Sequence, residues 1–143
     1  MKREETVDFN IKAAWHAISR MYNQEAIKHD ITTSIGFVLL NIDMDQGIPA
    51  TKIAPLMGLE SRSLTRMLKN MEEKELIYRE PDPYDKRSVR IFLTEKGKTK
   101  REVSRKSVLD FNNKVRQKIP KTKLKVFFEV VSEINQIIEK NNE

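Results

Sequence analysis

Apolar residues recur along this chain first at helical spacing, then briefly in alternation, then at helical spacing again. Over residues 8–28, Ile11, Trp15, Ile18 and Tyr22 fall on one face of a helix. Ile35, Leu39 and Ile42 continue the period in a second helix over 34–44, with Thr32 and Thr33 as N-cap candidates. The run Asp45-Gln-Gly-Ile-Pro49 reads as a turn, and Thr51 is placed to cap a short third helix over 52–57. Gly58 ends that helix, because glycine takes the left-handed conformation at low cost. Ser61 is placed to cap a fourth helix over 62–74, in which Leu64, Met67, Leu68 and Met71 follow the i, i+3, i+4, i+7 spacing of a core-facing stripe.

The period then changes. Leu76-Ile-Tyr-Arg-Glu80 is short and has no helical stripe, Pro81-Asp-Pro83 forces a turn, and Val89-Arg-Ile-Phe-Leu93 alternates and is rich in strand formers. Two short strands around a polar tip predict a β-hairpin. Thr94 is placed to cap a fifth helix running to 118, Pro120 breaks it, and a sixth carries Leu124, Phe127, Phe128, Val131, Ile134 and Ile138. The fold class expected is mainly α with a small β-hairpin. A short helix, a glycine turn, a second helix and then a hairpin is the order of a winged helix-turn-helix.

A length of 143 residues fits one domain with a real core. Cys is absent, which excludes disulfides, cysteine metal sites and thiol switches. Neither a membrane-length apolar run nor a signal-type N-terminus is present, so a cytoplasmic location is expected. The net charge is +6, and residues 62–106 hold 14 of the 27 Lys/Arg but only 8 of the 21 Asp/Glu. The whole excess therefore sits in one central stretch, which is either the footprint of a polyanionic partner or a solvated basic face.

The core stripe of the fourth helix leaves Arg62, Ser63, Thr65, Arg66, Lys69 and Asn70 outward, with Ser61 at the start. These side chains donate to phosphates and base edges, and no carboxylate interrupts them until Glu72 and Glu73. Such a face suits a major groove, although an exposed polar helix can look the same. The hairpin tip places Lys86, Arg87 and Arg90 on and beside a protruding loop, where a narrow minor groove attracts an inserted arginine. Asp85 would be repelled by phosphate. It either positions the side chain or turn that presents Arg87, or is a plain turn former.

The stretch 60–97 resembles the MarR family of bacterial transcriptional regulators. The resemblance is carried by Ser61-Arg-Ser-Leu-Thr-Arg-Met-Leu-Lys-Asn-Met-Glu72, and by Asp82-Pro-Tyr-Asp-Lys-Arg87 followed by Leu93-Thr-Glu-Lys-Gly97. It implies an obligate homodimer with a winged DNA-binding region over 31–94 and a helical dimerisation region over 1–30 and 95–143. It also implies binding to pseudo-palindromic operators and, in many members, release by a small phenolic or other organic ligand. A sequence-specific regulator, first of all a repressor, is therefore expected. The alternative is a winged-helix protein-interaction module that never binds DNA. Ile11, Trp15, Phe127, Phe128, Val131, Ile134 and Ile138 are the dimerisation candidates. Two positions depart from the family pattern: Glu75, where glycine is common, and Pro55 within the third helix.

Catalysis has little support. The chain has two His and no phosphate-cradling glycine motif, and a zinc site needs three or four converging ligands. No enzyme activity, metal or cofactor is expected. Trp15, His16 and Tyr22 could form the wall and polar handles of an effector site, but the structural reading, burial in a core or interface, is favoured. The partners expected are double-stranded DNA, a second copy of the chain and an aromatic or other organic effector, with no membrane.

Overall fold

A short 3-10 turn, Arg3–Glu5, leads into α1 (Val7–Ile27), α2 (Thr33–Leu40), β1 (Ile48–Pro49), α3 (Ala50–Met57) and α4 (Ser61–Glu73). The hairpin strands β2 (Ile77–Pro81) and β3 (Val89–Leu93) follow, then α5 (Glu95–Lys118) and α6 (Lys121–Asn141). The computed structural model describes residues 1–141, so residues 142 and 143 of the expected dimerisation region lie outside the described residues. The chain divides into two compact units, residues 1–107 and 108–143.

Several boundaries differ from the sequence reading, each for a local reason. Helix α2 stops at Leu40 rather than near 44. The Asn41 amide donates back to the Phe37 carbonyl (2.8 Å), and Asp43 Oδ1 accepts the backbone N–H groups of Asp45 (2.9 Å) and Gln46 (2.7 Å), closing a turn. Helix α3 begins at Ala50 behind Pro49, so Thr51 lies in its first turn and does not cap it. Ser61 is likewise the first helical residue of α4, not its cap, which is Glu60 without a side-chain bond. Thr32 and Thr94 do cap, accepting the N–H groups of Ile35 (3.2 Å) and Gly97 (2.9 Å). Pro55 lies inside α3, past its first turn, where it withholds one helical hydrogen bond; the helix ends soon after at Gly58, φ 63°.

The hairpin is part of a three-stranded antiparallel sheet in the order β1-β3-β2. The third strand was read as turn. Ile48 pairs with Ile91 and Pro49 with Arg90, and two residues are too few to show a period. Within residues 1–107 the core is built on Val38, Leu39, Ile42, Ile53, Met71, Leu76, Ile77 and Ile91, all fully buried. Leu64, Leu68 and Met71 sink α4 into this core, each contributing about 1.5–3 kcal/mol of apolar burial.

The Leu93-Thr-x-x-Gly97 signature has a structural reason. The Thr94 hydroxyl donates to the Glu75 carbonyl (2.6 Å) and the Thr94 N–H to the Leu76 carbonyl (3.1 Å). This ties the end of α4 to the start of α5. Gly97 lies so close to the Leu76 carbonyl that a Cβ there would clash with it. Glu75 turns the chain at φ 61°, in the left-handed region where glycine is at home.

Candidate nucleic-acid interface

Burial of Leu64, Leu68 and Met71 leaves Ser61, Arg62, Ser63, Thr65, Arg66, Lys69 and Asn70 all exposed on α4. The Thr65 hydroxyl donates to the Ser61 carbonyl (2.8 Å), which turns its methyl group away from that bond. Among the described residues, Arg62, Arg66 and Lys69 form no ion pair with a carboxylate. Glu72, the first carboxylate along the face, is held by Arg79 of β2, Nε to Oε2 at 2.7 Å. Both partners are half-exposed, so the pair adds little stability. Its effect is to neutralise Glu72, one of the carboxylates that border the donor face, while Glu73 beside it stays exposed.

The wing loop between β2 and β3 is closed by its own backbone and by two aspartates. Asp82 N–H donates to the Ser88 carbonyl (3.1 Å) and Ser88 N–H to the Asp85 carbonyl (3.0 Å). Asp85 Oδ1 accepts the backbone N–H of Arg87 at 2.9 Å. Asp85 thus closes a tight turn onto the backbone of Arg87. Asp82 Oδ1 does the same for Tyr84 (2.8 Å), and the Asp82 residue is buried, at 7% exposure. The Tyr84 N–H first, and Arg90 after it, hold the Asp82 carboxyl below the usual carboxylate range despite burial, which opposes the shift.

The three wing cations separate. Lys86 and Arg87 are exposed at the tip, and among the described residues no ion pair holds them. Arg90 is turned inward, its side chain only 17% exposed, with Nη1 3.4 Å from Asp82 Oδ2 and Nε donating to the Gln46 carbonyl at 2.6 Å.

The family profile of MarR matches residues 31–89, the stretch from α2 into β3. The HTH-type transcriptional regulator SarZ of Staphylococcus aureus (strain USA300) is 31% identical over 99 residues, 66% of this chain and 67% of SarZ. The chain belongs to the MarR family. The HTH-type transcriptional regulator TtmR of Methylorubrum extorquens (strain PA1) is 36% identical over 90 residues, 63% of this chain, and the match spans only 46% of the length of TtmR. Two solved structures share the fold: the S. aureus MepR-DNA complex (TM-score 0.82, 20% identity, 92% of this chain and 97% of that one), and CouR from Rhodococcus jostii RHA1 bound to p-coumaroyl-CoA (TM-score 0.80, 20% identity, 94% of both chains). This MarR-family chain is thus mainly helical with a winged helix-turn-helix.

The other expected site residues lie elsewhere. An open groove of about 350 Å³ is lined by Trp15, His16, Ser19, Arg20, Asn23 and Phe37, with Thr32 to Ser34 at its side. Tyr22, expected in the same site, is absent from the lining. It sits edge-on to Phe37, centroids 6.0 Å apart, and burial pushes its hydroxyl pKa up. Trp15 packs on the same ring at 5.8 Å. Ile11, Trp15, Phe127, Phe128 and Ile138 stand exposed, while Val131 and Ile134 are half-buried. Among the described residues no cluster of three or more His, Asp or Glu could hold a metal, and no helix is long and apolar enough to cross a membrane.

Sequence reasoning missed Arg79, Gln46 and the buried Asp82. Arg79 and Gln46 act through contacts between elements, a side-chain ion pair with Glu72 and a carbonyl that accepts from Arg90, which leave no periodic trace. Asp82 carried a signal, an aspartate between two prolines, that was read only as a turn.

Proposed function

We propose that the chain is a homodimeric, sequence-specific regulator of transcription, acting as a repressor on a pseudo-palindromic operator. The observation that carries this reading is the exposed donor face of α4, free of carboxylates from Ser61 to Asn70, on the same fold as a wing whose tip holds two exposed cations with no ion pair among the described residues. Arg62, Ser63, Thr65, Arg66, Lys69 and Asn70 meet the edges and phosphates of a major groove, with Ser61 at the helix start. Lys86 and Arg87 meet the neighbouring minor groove or its phosphates, and Asp85 sets their turn. Residues 31–94 form the DNA-binding region, and 1–30 with 95–143 the dimerisation region. The MepR structure named above contains DNA, which supports DNA as the partner of this fold.

The exposed apolar residues of α1 and α6 support assembly. Val126, Phe127, Phe128, Val130, Ile137 and Ile138 are each at least 44% exposed, more apolar surface than an isolated small chain ordinarily leaves to water. A two-fold pair of chains covers such a surface and reads two half-sites about one helical turn apart. The groove beside Trp15, His16 and Arg20 suits an amphipathic organic effector, aromatic wall on one side and polar groups on the other. CouR, of the same fold, holds p-coumaroyl-CoA, which supports an organic ligand of this kind. The protein works in the cytoplasm and is not an enzyme.

Selection of bound duplexes from a random DNA pool tests the reading. Enrichment of a two-fold symmetric sequence is the expected result. No enrichment, with no salt-sensitive binding to any duplex, overturns it in favour of a protein-binding winged helix.

A further inference from the structure

The wing carries a side chain that the reading above does not use. Tyr84 stands at its outer turn with 91% of its surface exposed, the most exposed aromatic residue among those described. A ring so placed contributes nothing to a core. Its backbone, however, is fixed: the Tyr84 N–H donates to Asp82 Oδ1 at 2.8 Å. The second oxygen of that buried carboxylate faces Arg90 Nη1 at 3.4 Å, and Arg90 Nε donates to the Gln46 carbonyl at 2.6 Å. A chain of contacts thus runs from the turn before β1, through Arg90 and Asp82, to the backbone of Tyr84. A buried carboxylate is costly unless paired, so Arg90 is committed to the hairpin and withheld from phosphate.

Lys86 and Arg87 follow Tyr84 and Asp85 on the same turn, exposed and without an ion pair among the described residues. A neutral ring with a phenolic donor beside two free cations, all on a held loop, matches the chemistry of a nucleic-acid backbone. The cations meet phosphates, and the ring packs on sugar while its hydroxyl donates to a phosphate oxygen. We infer that Tyr84 is a further DNA-contacting residue, and that Arg90 and Asp82 are positioning residues that aim it. The inference rests on the DNA-binding reading above.

The test is fluorescence anisotropy at several salt concentrations on two labelled duplexes, one recovered from a random pool and one scrambled. Tyr84→Ala is expected to weaken binding to both about tenfold, with the dependence of log affinity on log salt unchanged, because a neutral side chain releases no counterions. Arg87→Ala, by contrast, flattens that dependence. Arg90→Gln is expected to weaken binding without flattening it, and adding Tyr84→Ala to Arg90→Gln is expected to cost nothing more, since the two act in series. Thermal unfolding checks each fold. If Arg90→Gln does not fold, Arg90→Lys takes its place under the same criteria, because its single ammonium cannot hold Asp82 and Gln46 together. Wild-type affinity in Tyr84→Ala overturns the inference. So do additive losses in the double variant, or a slope in the Arg90 variant as flat as that of Arg87→Ala. Arg66→Ala separates the two readings. Wild-type protein that binds neither duplex overturns DNA binding itself, whereas protein that responds to Arg66→Ala but not to Tyr84→Ala overturns only the role of Tyr84.

Discussion

Arg66 sits at the middle of the exposed donor face of α4, and among the described residues no carboxylate holds it. Replacing it with Ala is expected to cost about 1–3 kcal/mol and to relax preference at one position in each half-site. Titration of duplexes substituted one base pair at a time reads both effects. Asp85 is the counter-intuitive case. Removing a negative charge from a loop proposed to meet DNA should strengthen binding by simple electrostatics. Its Oδ1, however, holds the Arg87 N–H at 2.9 Å, and losing that bond frees the turn. Asp85→Ala is therefore expected to weaken binding to operator and scrambled duplexes alike; tighter binding in the same titration would make Asp85 a plain turn former. Arg79 acts through its partner. Its loss exposes the Glu72 charge at the edge of the exposed donor face of α4, so Arg79→Ala is expected to weaken DNA binding at low salt and to approach the wild type as salt screens the charge.

The helix-to-strand corner after α4 carries backbone strain, as does Asp30 after α1, at φ 58°. Glu75 adopts φ 61°, and its side chain makes no hydrogen bond or ion pair within the described residues. Relief of left-handed strain is expected to make Glu75→Gly more stable by about 1 kcal/mol, less the extra freedom glycine has when unfolded. Thermal denaturation then shows a Tm a few degrees higher. Gly97→Ala has the opposite sign. Its Cβ meets the Leu76 carbonyl, a backbone atom that cannot step aside, so a loss of roughly 1–3 kcal/mol or more is expected in the same assay. The two turns held by Asp43 and Asp82 share an acid sensitivity. Backbone donors, Gln46 and then Asp45 for Asp43 and Tyr84 for Asp82, hold both carboxyls below their usual range. A carboxyl depressed in the folded state stabilises it above the unfolded value, and that contribution is lost as pH falls through the folded value. Both turns are therefore expected to hold down to about pH 4 and to loosen below it. The amide NMR shifts of Gln46 and Tyr84 are the probes, and a midpoint at the ordinary aspartate value would contradict the assignment.

At the level of the whole molecule the exposed apolar residues set the expectation. Phe127 and Phe128 touch each other edge-on, centroids 5.6 Å apart, yet each stays more than half exposed. Sedimentation is expected to show a dimer across the micromolar range, and Phe128→Glu to shift it toward monomer with loss of operator binding before loss of scrambled-duplex binding. A well-folded wild-type monomer at those concentrations would remove the two-fold reading of the operator. The absence of Cys carries its own consequence, since thiol oxidation cannot switch this protein.

Periodicity and local chemistry by themselves determine much of this fold. The α4 stripe of Leu64, Leu68 and Met71 defined its exposed face, Thr94 its capping role, Gly58 its helix end, and Val89 to Leu93 a strand. These are properties of residues three or four apart, or two apart in a strand, so the sequence displays them directly. Ser61 and Thr51 were misread as caps because capping depends on where the preceding backbone enters the helix, not on residue type alone. The tertiary structure alone decided the rest. Strand β1 exists only because Ile48 finds Ile91. Glu72 is neutralised only because β2 returns Arg79 beside α4. The sequence places Arg90 beside the wing tip with Lys86 and Arg87, and it points inward because the sheet brings the Gln46 carbonyl and the buried Asp82 within its reach, 44 and 8 residues away. A charge seeks the nearest compensating group in space, and distance along the chain does not report it.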